Sequence, residues 1–203
     1  TAYGEVVLAA IGRVPNTDAD WFRSSGLKLD ERGYVTVDGY GRTNLDGVWA
    51  LGDITPGHAL AHRAFEQGIT IAEKIAGADP KPVIDDTVPQ VVFSFPEAAS
   101  VGLTLDQAKA REDVVEPKET AYPMLSNARM LMSGEGGSMT VVSGAFANNP
   151  DMQVVLGVHI VSPIASDLIA EAEQLVGNRV QLADAARLIH PHPTFSETLG
   201  EAL

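Results

Sequence analysis

"SMTVVSGAFANNPDMQVVLGVHIV", residues 138–161, contains two runs rich in valine and small residues, separated by the tetrapeptide "NNPD" at 148–151. Asn, Pro and Asp favour turns, and short β-branched runs on either side of a turn are typical of a β-hairpin. Three more strand candidates precede the pair: "QVVFSF" (90–95), "AASVG" (98–102) and a segment near 114–122. Strands in mainly antiparallel order with helices between them predict an α+β fold for this half of the chain.

Cap residues mark where the helices of this half begin. "TLDQ" at 104–107 fits a capping box, with its threonine as the cap and its glutamine at the third helical position. Ser162 followed by Pro163 predicts the start of another helix, which ends at Gly177. A short helix over 182–189 is predicted after it.

The first eighty residues follow a different pattern. "GEVVLAAIGRVPN" (4–16) predicts a strand buried on both faces of a parallel sheet, and "YVTV" (34–37) and "GVWAL" (47–51) predict two short strands. Residues from about 59 to 75 then predict an amphipathic helix with Gly77 as its stop. The apolar residues on one face of this helix are Ala61, Phe65, Ile69, Ala72 and either Ile75 or Ala76.

Residues 76–89 carry three prolines and a charge cluster, a composition typical of a linker between domains. The sequence therefore predicts two unlike parts, residues 1–80 and an α+β domain over 90–203, joined by a linker at 81–89. A buried strand at 4–16 needs neighbours, so either it pairs with later strands or the chain begins partway through a larger protein.

The composition excludes several classes of function. A formal net charge of -13 and a pI near 4.6 argue against a nucleic-acid partner, because neutralising phosphates needs clustered Lys and Arg. No apolar stretch is long enough to span a membrane, and the N-terminus lacks the basic region of a signal peptide, so we expect no membrane association and a cytoplasmic location. The chain has no cysteine, which excludes disulfides, thiolate metal ligands and a thiol nucleophile within it.

Asp53 is the first candidate site residue. It follows the strand predicted at 47–51 and precedes a predicted helix, and ligands of open α/β sheets bind beyond the carboxyl ends of strands. An aspartate at a strand end also often does no more than cap a turn. Both interpretations of Asp53 remain open on the residues alone.

"HPHPTFSE" (190–197) is the second candidate site. Histidine has an ordinary pKa near neutrality, so His190 or His192 can act as a general acid/base, and Glu197 can return through a turn to orient the imidazole of His192. The alternative is two surface histidines beside a helix that starts near Thr194, with Glu197 in a capping box. No G-x-S-x-G nucleophile is present, and the two histidines lack further ligands, so we expect no metal site.

Five stretches occur in order along the chain: "AAIGRVPNTD" (9–18), "VWALGDITPGHALAHRAFEQG" (48–68), "VVFSFPEAASVG" (91–102), "LGVHIVSPIASDLIAEA" (156–172) and "HPHPTFSE" (190–197). Together they resemble the C-terminal half of the pyridine nucleotide-disulfide oxidoreductases. "HIVSPIASDLI" (159–169) paired with "HPHPTFSE", together with "SNAR" (126–129), is most similar to the dihydrolipoamide dehydrogenases. Glutathione, mycothione and mercuric reductases are the alternative subfamilies.

The resemblance implies cofactor contacts at four residues. Asp53 would accept a hydrogen bond from the ribityl chain of FAD. Leu60, Ala61 and His62 would approach the flavin through backbone groups at a helix N-terminus, where negative charge on a reduced flavin is favoured.

The resemblance also implies roles in "HPHPTFSE". His192 would be the acid/base that serves a redox dithiol, Glu197 would orient it, and His190 would be secondary. Because the chain would supply these groups to a homodimer, His192 would complete the active site of the opposite subunit.

The fold implied is a C-terminal dimerisation (interface) domain, preceded by an incomplete α/β remnant of the FAD/NAD-binding part. FAD and NAD would be cofactors of the full-length enzyme, with a lipoyl-bearing protein or a small disulfide as substrate. The family's reactive disulfide and its glycine-rich nucleotide loops match nothing in this chain. We therefore expect the chain by itself to bind neither cofactor tightly and to be inactive; a dimerisation module without catalysis is the alternative.

Overall fold

The computed structural model describes residues 3–203, which form two compact units that part between Val83 and Ile84. In the first unit, helix α1 spans Asp20–Arg23 and helix α2 spans Ala61–Ile75. A 3-10 turn at Gly52–Ile54 precedes α2. The helix predicted over 59–75 is confirmed, and Ala76 and Gly77 follow its last residue.

The strands predicted at 34–37 and 47–51 are wrong as regular strands. Only isolated antiparallel bridges occur there, between Leu29 and Val35 and between Arg42 and Trp49. Val35 is nevertheless fully buried and packs in a small cluster with other apolar side chains. Alternating polarity correctly indicated which side chain is buried, although the segments are too short and irregular to form a ladder.

The strand predicted at 4–16 is also wrong. Residues 3–14 are exposed and have no regular secondary structure, and no described segment pairs with them. A strand is stable only where a neighbour accepts and donates its backbone hydrogen bonds, and an apolar run cannot supply that neighbour itself.

Helix α2 buries a different face from its apolar stripe. Its buried residues are Arg63, Thr70 and Ile71, whereas Phe65 and Ile69 on the stripe are exposed. The structure therefore leaves an apolar surface on α2, although amphipathic helices usually turn such a stripe to the core.

The second unit is a five-stranded antiparallel sheet in the order β1-β2-β5-β4-β3. Its strands are β1 Gln90–Val92, β2 Glu97–Gly102, β3 Val114–Pro123, β4 Ser138–Phe146 and β5 Asn149–Ser162. Its helices are α3 Leu105–Ala110, α4 Ala128–Ser133, α5 Ala165–Gly177, α6 Leu182–Ala185 and α7 Glu197–Ala202. The predicted α+β fold with a mainly antiparallel sheet is confirmed.

The hairpin predicted at 138–161 is formed by β4 and β5, but its turn lies earlier than predicted. Phe146 pairs with Asn149, so Ala147 and Asn148 make the turn. Pro150 lies inside β5, where a proline usually removes a ladder hydrogen bond. The position is tolerated because β2 pairs with β5 only from Gly157 onward, beyond Pro150.

Two hydrophobic clusters hold the second unit together. The larger one joins the sheet to α5 and includes Leu199 and Ala202 of α7. The smaller one joins the sheet to α3 around Leu103 and Ala108. Helix α7, which follows the "HPHPTFSE" loop, is thus fixed to the core by its buried face.

The start of α3 confirms the predicted capping box, whereas the start of α5 does not follow its prediction. Thr104 and Gln107 make both reciprocal bonds of the box. Ser162 ends β5, and α5 begins at Ala165 without a side-chain bond from its own cap residue. The backbone N–H of Ser166 instead donates to Glu97 Oε2 on β2 at 2.8 Å. No helix in the described part of the chain has the length and apolarity needed to cross a bilayer.

Candidate functional site

The loop between α6 and α7 brings His192 and Glu197 together. His192 Nδ1 lies 2.8 Å from Glu197 Oε1, and the His192 side chain is 73% exposed. The second carboxylate oxygen, Oε2, accepts the backbone N–H of Thr194 at 2.7 Å. Helix α7 begins at Glu197, so the helix start near Thr194 is wrong, but the bond from Glu197 back to the Thr194 N–H resembles half of a capping box.

The hydrogen bonds that Glu197 accepts determine the charge of its carboxyl group. The backbone N–H of Thr194, and then the hydrogen bond with His192, lower the pKa of Glu197 below its usual range. Glu197 is therefore a carboxylate near neutral pH and can only accept hydrogen bonds. The neutral imidazole must carry its proton on Nδ1, which leaves Nε2 directed away from Glu197 and able to accept a proton.

Two contacts of this loop could not be expected from spacing. His190 Nε2 lies 2.7 Å from Glu171 Oε1 of α5, and the Asn127 side-chain amide donates to the carbonyl oxygen of Thr194 at 3.0 Å. These partners are 19 and 67 residues apart in the chain. In the sequence, Asn127 stands out only through its place in "SNAR" before a helix. No feature of the sequence identifies Glu171 as a partner of this loop.

Asp53 lies in the 3-10 turn of the first unit, with 58% of its side chain exposed and Arg13 Nη1 3.9 Å away. Gly52 brings this turn against α2: its N–H donates to Gln67 Oε1 at 2.9 Å, and its φ is 71°. A Cβ at Gly52 would lie 3.3 Å from the Ala64 side chain, so glycine allows the close approach.

The first turn of α2 follows the 3-10 turn at Gly52–Ile54 in the chain. Leu60 is the cap residue and is extended, and it makes no side-chain capping bond. Ala61 and His62 open the helix, so their backbone N–H groups lie at its positive end. A cleft of about 350 Å³ is lined by residues that include Arg13, Asp53 and Ala59.

These features fit a flavin nucleotide. An exposed carboxylate such as Asp53 accepts hydrogen bonds from sugar-type hydroxyls, and a helix N-terminus favours negative charge. No site for a nicotinamide nucleotide is evident among residues 3–203. "GEGG" (134–137) lies between the end of α4 and β4 rather than between a strand and a helix, as a phosphate loop does. The described residues also include no group of three or more metal-ligating side chains.

The antiparallel sheet with α5 packed on it defines the class of protein. The family model for the pyridine nucleotide-disulphide oxidoreductase dimerisation domain matches residues 88–203, and a second pyridine nucleotide-disulphide oxidoreductase model matches residues 2–68. The chain belongs to the pyridine nucleotide-disulphide oxidoreductases, which confirms the resemblance found in the sequence.

Individual members of the family are similar to this chain over nearly its whole length. The chain is 41% identical to a dihydrolipoyl dehydrogenase of Cupriavidus necator over 97% of its own length, and 38% identical to one of Thermus scotoductus over 97%. The crystal structure of LpdA from Mycobacterium tuberculosis superposes on 95% of this chain with a TM-score of 0.83 and 32% identity. The chain spans 40% and 41% of those two relatives and 41% of the LpdA chain.

Proposed function

We propose that this chain is part of a dihydrolipoyl dehydrogenase. The whole protein would oxidise a dihydrolipoyl dithiol to the disulfide and reduce NAD⁺ to NADH, releasing one proton. Relatives of that name, 36–41% identical to this chain, support the proposal. The observation that carries it is the 2.8 Å contact between Glu197 and an exposed imidazole at His192.

His192 would act as the acid/base. Its Nε2 accepts a proton from a substrate thiol, which produces the thiolate that attacks a disulfide. Glu197 holds the Nδ1 proton and stabilises the imidazolium that forms. The chain contains no cysteine, so the sulfur atoms that react must belong to the substrate and to residues outside this chain.

Asp53 and the N-terminus of α2 would form part of the FAD site. Bound FAD would carry electrons between the dithiol and NAD. Asp53 would accept hydrogen bonds from the ribityl hydroxyls, and the backbone groups of Leu60, Ala61 and His62 would stabilise negative charge at the flavin. Residues 1–80 would accordingly be part of the nucleotide-binding portion, and residues 90–203 the dimerisation domain. We assign no residue of this chain to NAD.

The dimerisation domain would join two copies, and His192 would then complete the active site of the opposite subunit. Sedimentation at micromolar concentration should show a species of twice the 21.5 kDa chain mass. A monomer at all concentrations would contradict this part of the proposal. A lipoyl-bearing protein is the proposed partner of the complete enzyme.

The acid/base role is tested by His192→Gln and Glu197→Gln in the complete flavoprotein. His192→Gln should lower the rate of NAD⁺ reduction by dihydrolipoamide about 100- to 10,000-fold, the usual contribution of a general acid/base. Glu197→Gln should lower it less, because the amide oxygen still accepts from Nδ1. Oxidation of NADH by an artificial quinone needs no thiol proton transfer and should be unchanged in both variants.

Two outcomes would contradict the proposal. Wild-type lipoamide turnover in His192→Gln would exclude the acid/base role. Faster turnover of glutathione disulfide, mycothione disulfide or mercuric ion than of lipoamide would assign the chain to another reductase of the family. By itself, without cysteine, the chain should show no turnover.

A further inference from the structure

The loop that carries His192 is held at its beginning by a partly buried histidine. The His190 side chain is 10% exposed, against 73% for His192 two residues later. Its Nε2 lies 2.7 Å from Glu171 Oε1 on α5. The ring packs on α7 as well, since a Cβ at Gly200 would lie 2.9 Å from His190 Nδ1. The imidazole thus occupies the space between two helices.

The same loop is held at its end by Asn127, which is 2% exposed. The side-chain oxygen Oδ1 caps α4 by accepting the N–H groups of Arg129 at 2.9 Å and Met130 at 3.2 Å. The other half of the amide, Nδ2, donates to the Thr194 carbonyl oxygen at 3.0 Å. The buried Asn127 side chain therefore hydrogen-bonds both to N–H groups at the start of α4 and to a carbonyl oxygen of the loop.

The backbone N–H and the carbonyl oxygen of Thr194 both have hydrogen-bond partners. Its N–H donates to Glu197, its carbonyl oxygen accepts from Asn127, and its hydroxyl donates to the Pro191 carbonyl oxygen at 2.7 Å. The segment from His190 to Thr194 is consequently tied to α4, α5 and α7. Within that segment the His192 imidazole is exposed, together with the two prolines that flank it.

The packing of α5 and α7 does not depend on these anchors. Helix α5 contributes five buried residues to the unit, and α7 is fixed by Leu199 and Ala202. The bonds from Glu171 and Asn127 act on the loop, whose own contribution to the core is small. Their geometric consequence is the position of His192.

We propose that Asn127 and the His190–Glu171 pair are positioning residues for His192. The inference rests on the proposed function, in which His192 exchanges a proton with a substrate thiol. Proton transfer requires Nε2 to lie within hydrogen-bond reach of the sulfur, and a misplacement of about 1 Å can cost about 100-fold in rate. The two anchors lie on either side of His192 and add to the bond from the Thr194 N–H to Glu197 in fixing the backbone that carries the imidazole.

Two pairs of variants in the complete flavoprotein test this. Asn127→Asp keeps the acceptors that cap α4 but loses the donor to Thr194, whereas Asn127→Ala loses both. Glu171→Ala removes the partner of His190, and Glu171→Gln keeps an oxygen that accepts from it. Asn127→Asp and Glu171→Ala should lower kcat with dihydrolipoamide about tenfold to 100-fold, with KM changed less than about twofold. Glu171→Gln should recover most of the loss.

Quinone-linked NADH oxidation should be unchanged in all of these variants. Glu173→Ala is the matched control, because Glu173 lies on the same helix and its carboxylate accepts a hydrogen bond from the neighbouring Gln174. It should leave kcat at the wild-type level. Loss of quinone turnover together with lipoamide turnover in Asn127→Asp and Glu171→Ala would indicate a general structural role and overturn the proposal.

Different results would contradict the proposed function and the positioning role. Full activity in His192→Gln would sink the proposed function. A large loss in His192→Gln with wild-type kcat in Asn127→Asp and Glu171→Ala would overturn the positioning role alone. For variants that lose flavin, the NMR signals of the His192 ring in this chain decide: they should shift in Asn127→Asp and Glu171→Ala but not in Glu173→Ala. Unshifted signals would overturn the proposal.

Discussion

The pKa of Glu97 depends on a contact with a residue from another part of the chain. It lies on β2, and its carboxylate accepts the backbone N–H of Ser166 in the first turn of α5. This bond, followed by a bond from the Ser166 side chain, lowers the pKa of Glu97 below its ordinary value of 4.5. A negative charge at that position also interacts favourably with the N-terminus of α5.

We therefore expect Glu97→Gln to lower the free energy of unfolding at pH 7. A carboxyl group with a lowered folded-state pKa contributes stability above its ordinary pKa and loses that contribution as the pH falls through the lowered value. The difference between the wild type and Glu97→Gln should thus be full at pH 7, shrink below pH 4.5 and vanish in stronger acid. Urea denaturation at a series of pH values measures it.

Glu119→Gln on β3 provides the matched control, because the Glu119 carboxylate has no hydrogen bond to any residue that the structure describes. Its effect on the free energy of unfolding should be small. A difference for Glu97→Gln that grows as the pH falls would show that the Ser166 contact does not stabilise the charged form.

The His192–Glu197 pair shows what spacing can decide at the scale of residues. A separation of five residues is compatible with an imidazole–carboxylate contact and with a capping contact. The sequence does not show which of the two Glu197 makes. Glu197 makes a contact of each kind, one through each of its oxygens. The two contacts do not exclude each other, because a carboxylate has two acceptor atoms and can make both.

At the scale of elements, two glycines should respond to alanine with opposite signs. A Cβ on Gly157 of β5 would lie 2.1 Å from the Leu103 carbonyl oxygen, so the chain that continues from β2 must move. Gly157→Ala should cost about 3 kcal/mol or more in the free energy of unfolding. Urea denaturation should show a lower midpoint, and an unchanged midpoint would contradict the close approach.

Gly68 is the contrasting site within α2. A Cβ there would meet only the Leu51 side chain, at 4.0 Å, an ordinary contact distance. Gly68→Ala should stabilise the first unit by about 0.5–1 kcal/mol, because glycine loses more backbone entropy in a helix than alanine does. A destabilised Gly68→Ala would mean that the space beside α2 is smaller than the structure shows.

Local pattern predicted the elements to different degrees. The capping box at Thr104 and the helix ending before Ala76 need only nearby residues, and both are correct. The helix start assigned to Ser162 and Pro163 was wrong because Ser162 extends β5, paired with Glu97 of β2. The Ser162 hydroxyl accepts the N–H of Ile164 at 3.2 Å, and the Glu97 carboxylate accepts the N–H of Ser166 in the first turn of α5. Pairing between strands took priority over the local cap signal.

At the scale of the whole molecule, the two units should unfold separately. Among the residues that the structure describes, the hydrophobic cluster of the first unit has three buried members, Phe22, Val35 and Ala50, whereas the main cluster of the second unit has many more. Less buried apolar surface means less stabilisation, so the first unit should unfold at lower urea.

The two tryptophans make this measurable. Trp21 and Trp49 both lie in the first unit, and the chain has no others. Tryptophan fluorescence should change at lower urea than the far-UV circular dichroism, which the sheet of the second unit dominates. Coincident transitions would show that the units unfold as one. Trp49→Phe, which leaves Trp21, should retain the early fluorescence transition.

The sequence by itself determined the α+β character of residues 90–203, the hairpin, the helix of the first unit and the family, because these follow from local periodicity and short motifs. Only the tertiary structure decided that residues 4–16 form no strand, that α2 leaves its apolar stripe exposed, and that Asn127 and Glu171 hold the His192 loop. Each of these depends on partners far away in the chain. Side-chain periodicity describes what a segment is able to bury or pair, whereas the partner that does so is set by the packing of the whole fold.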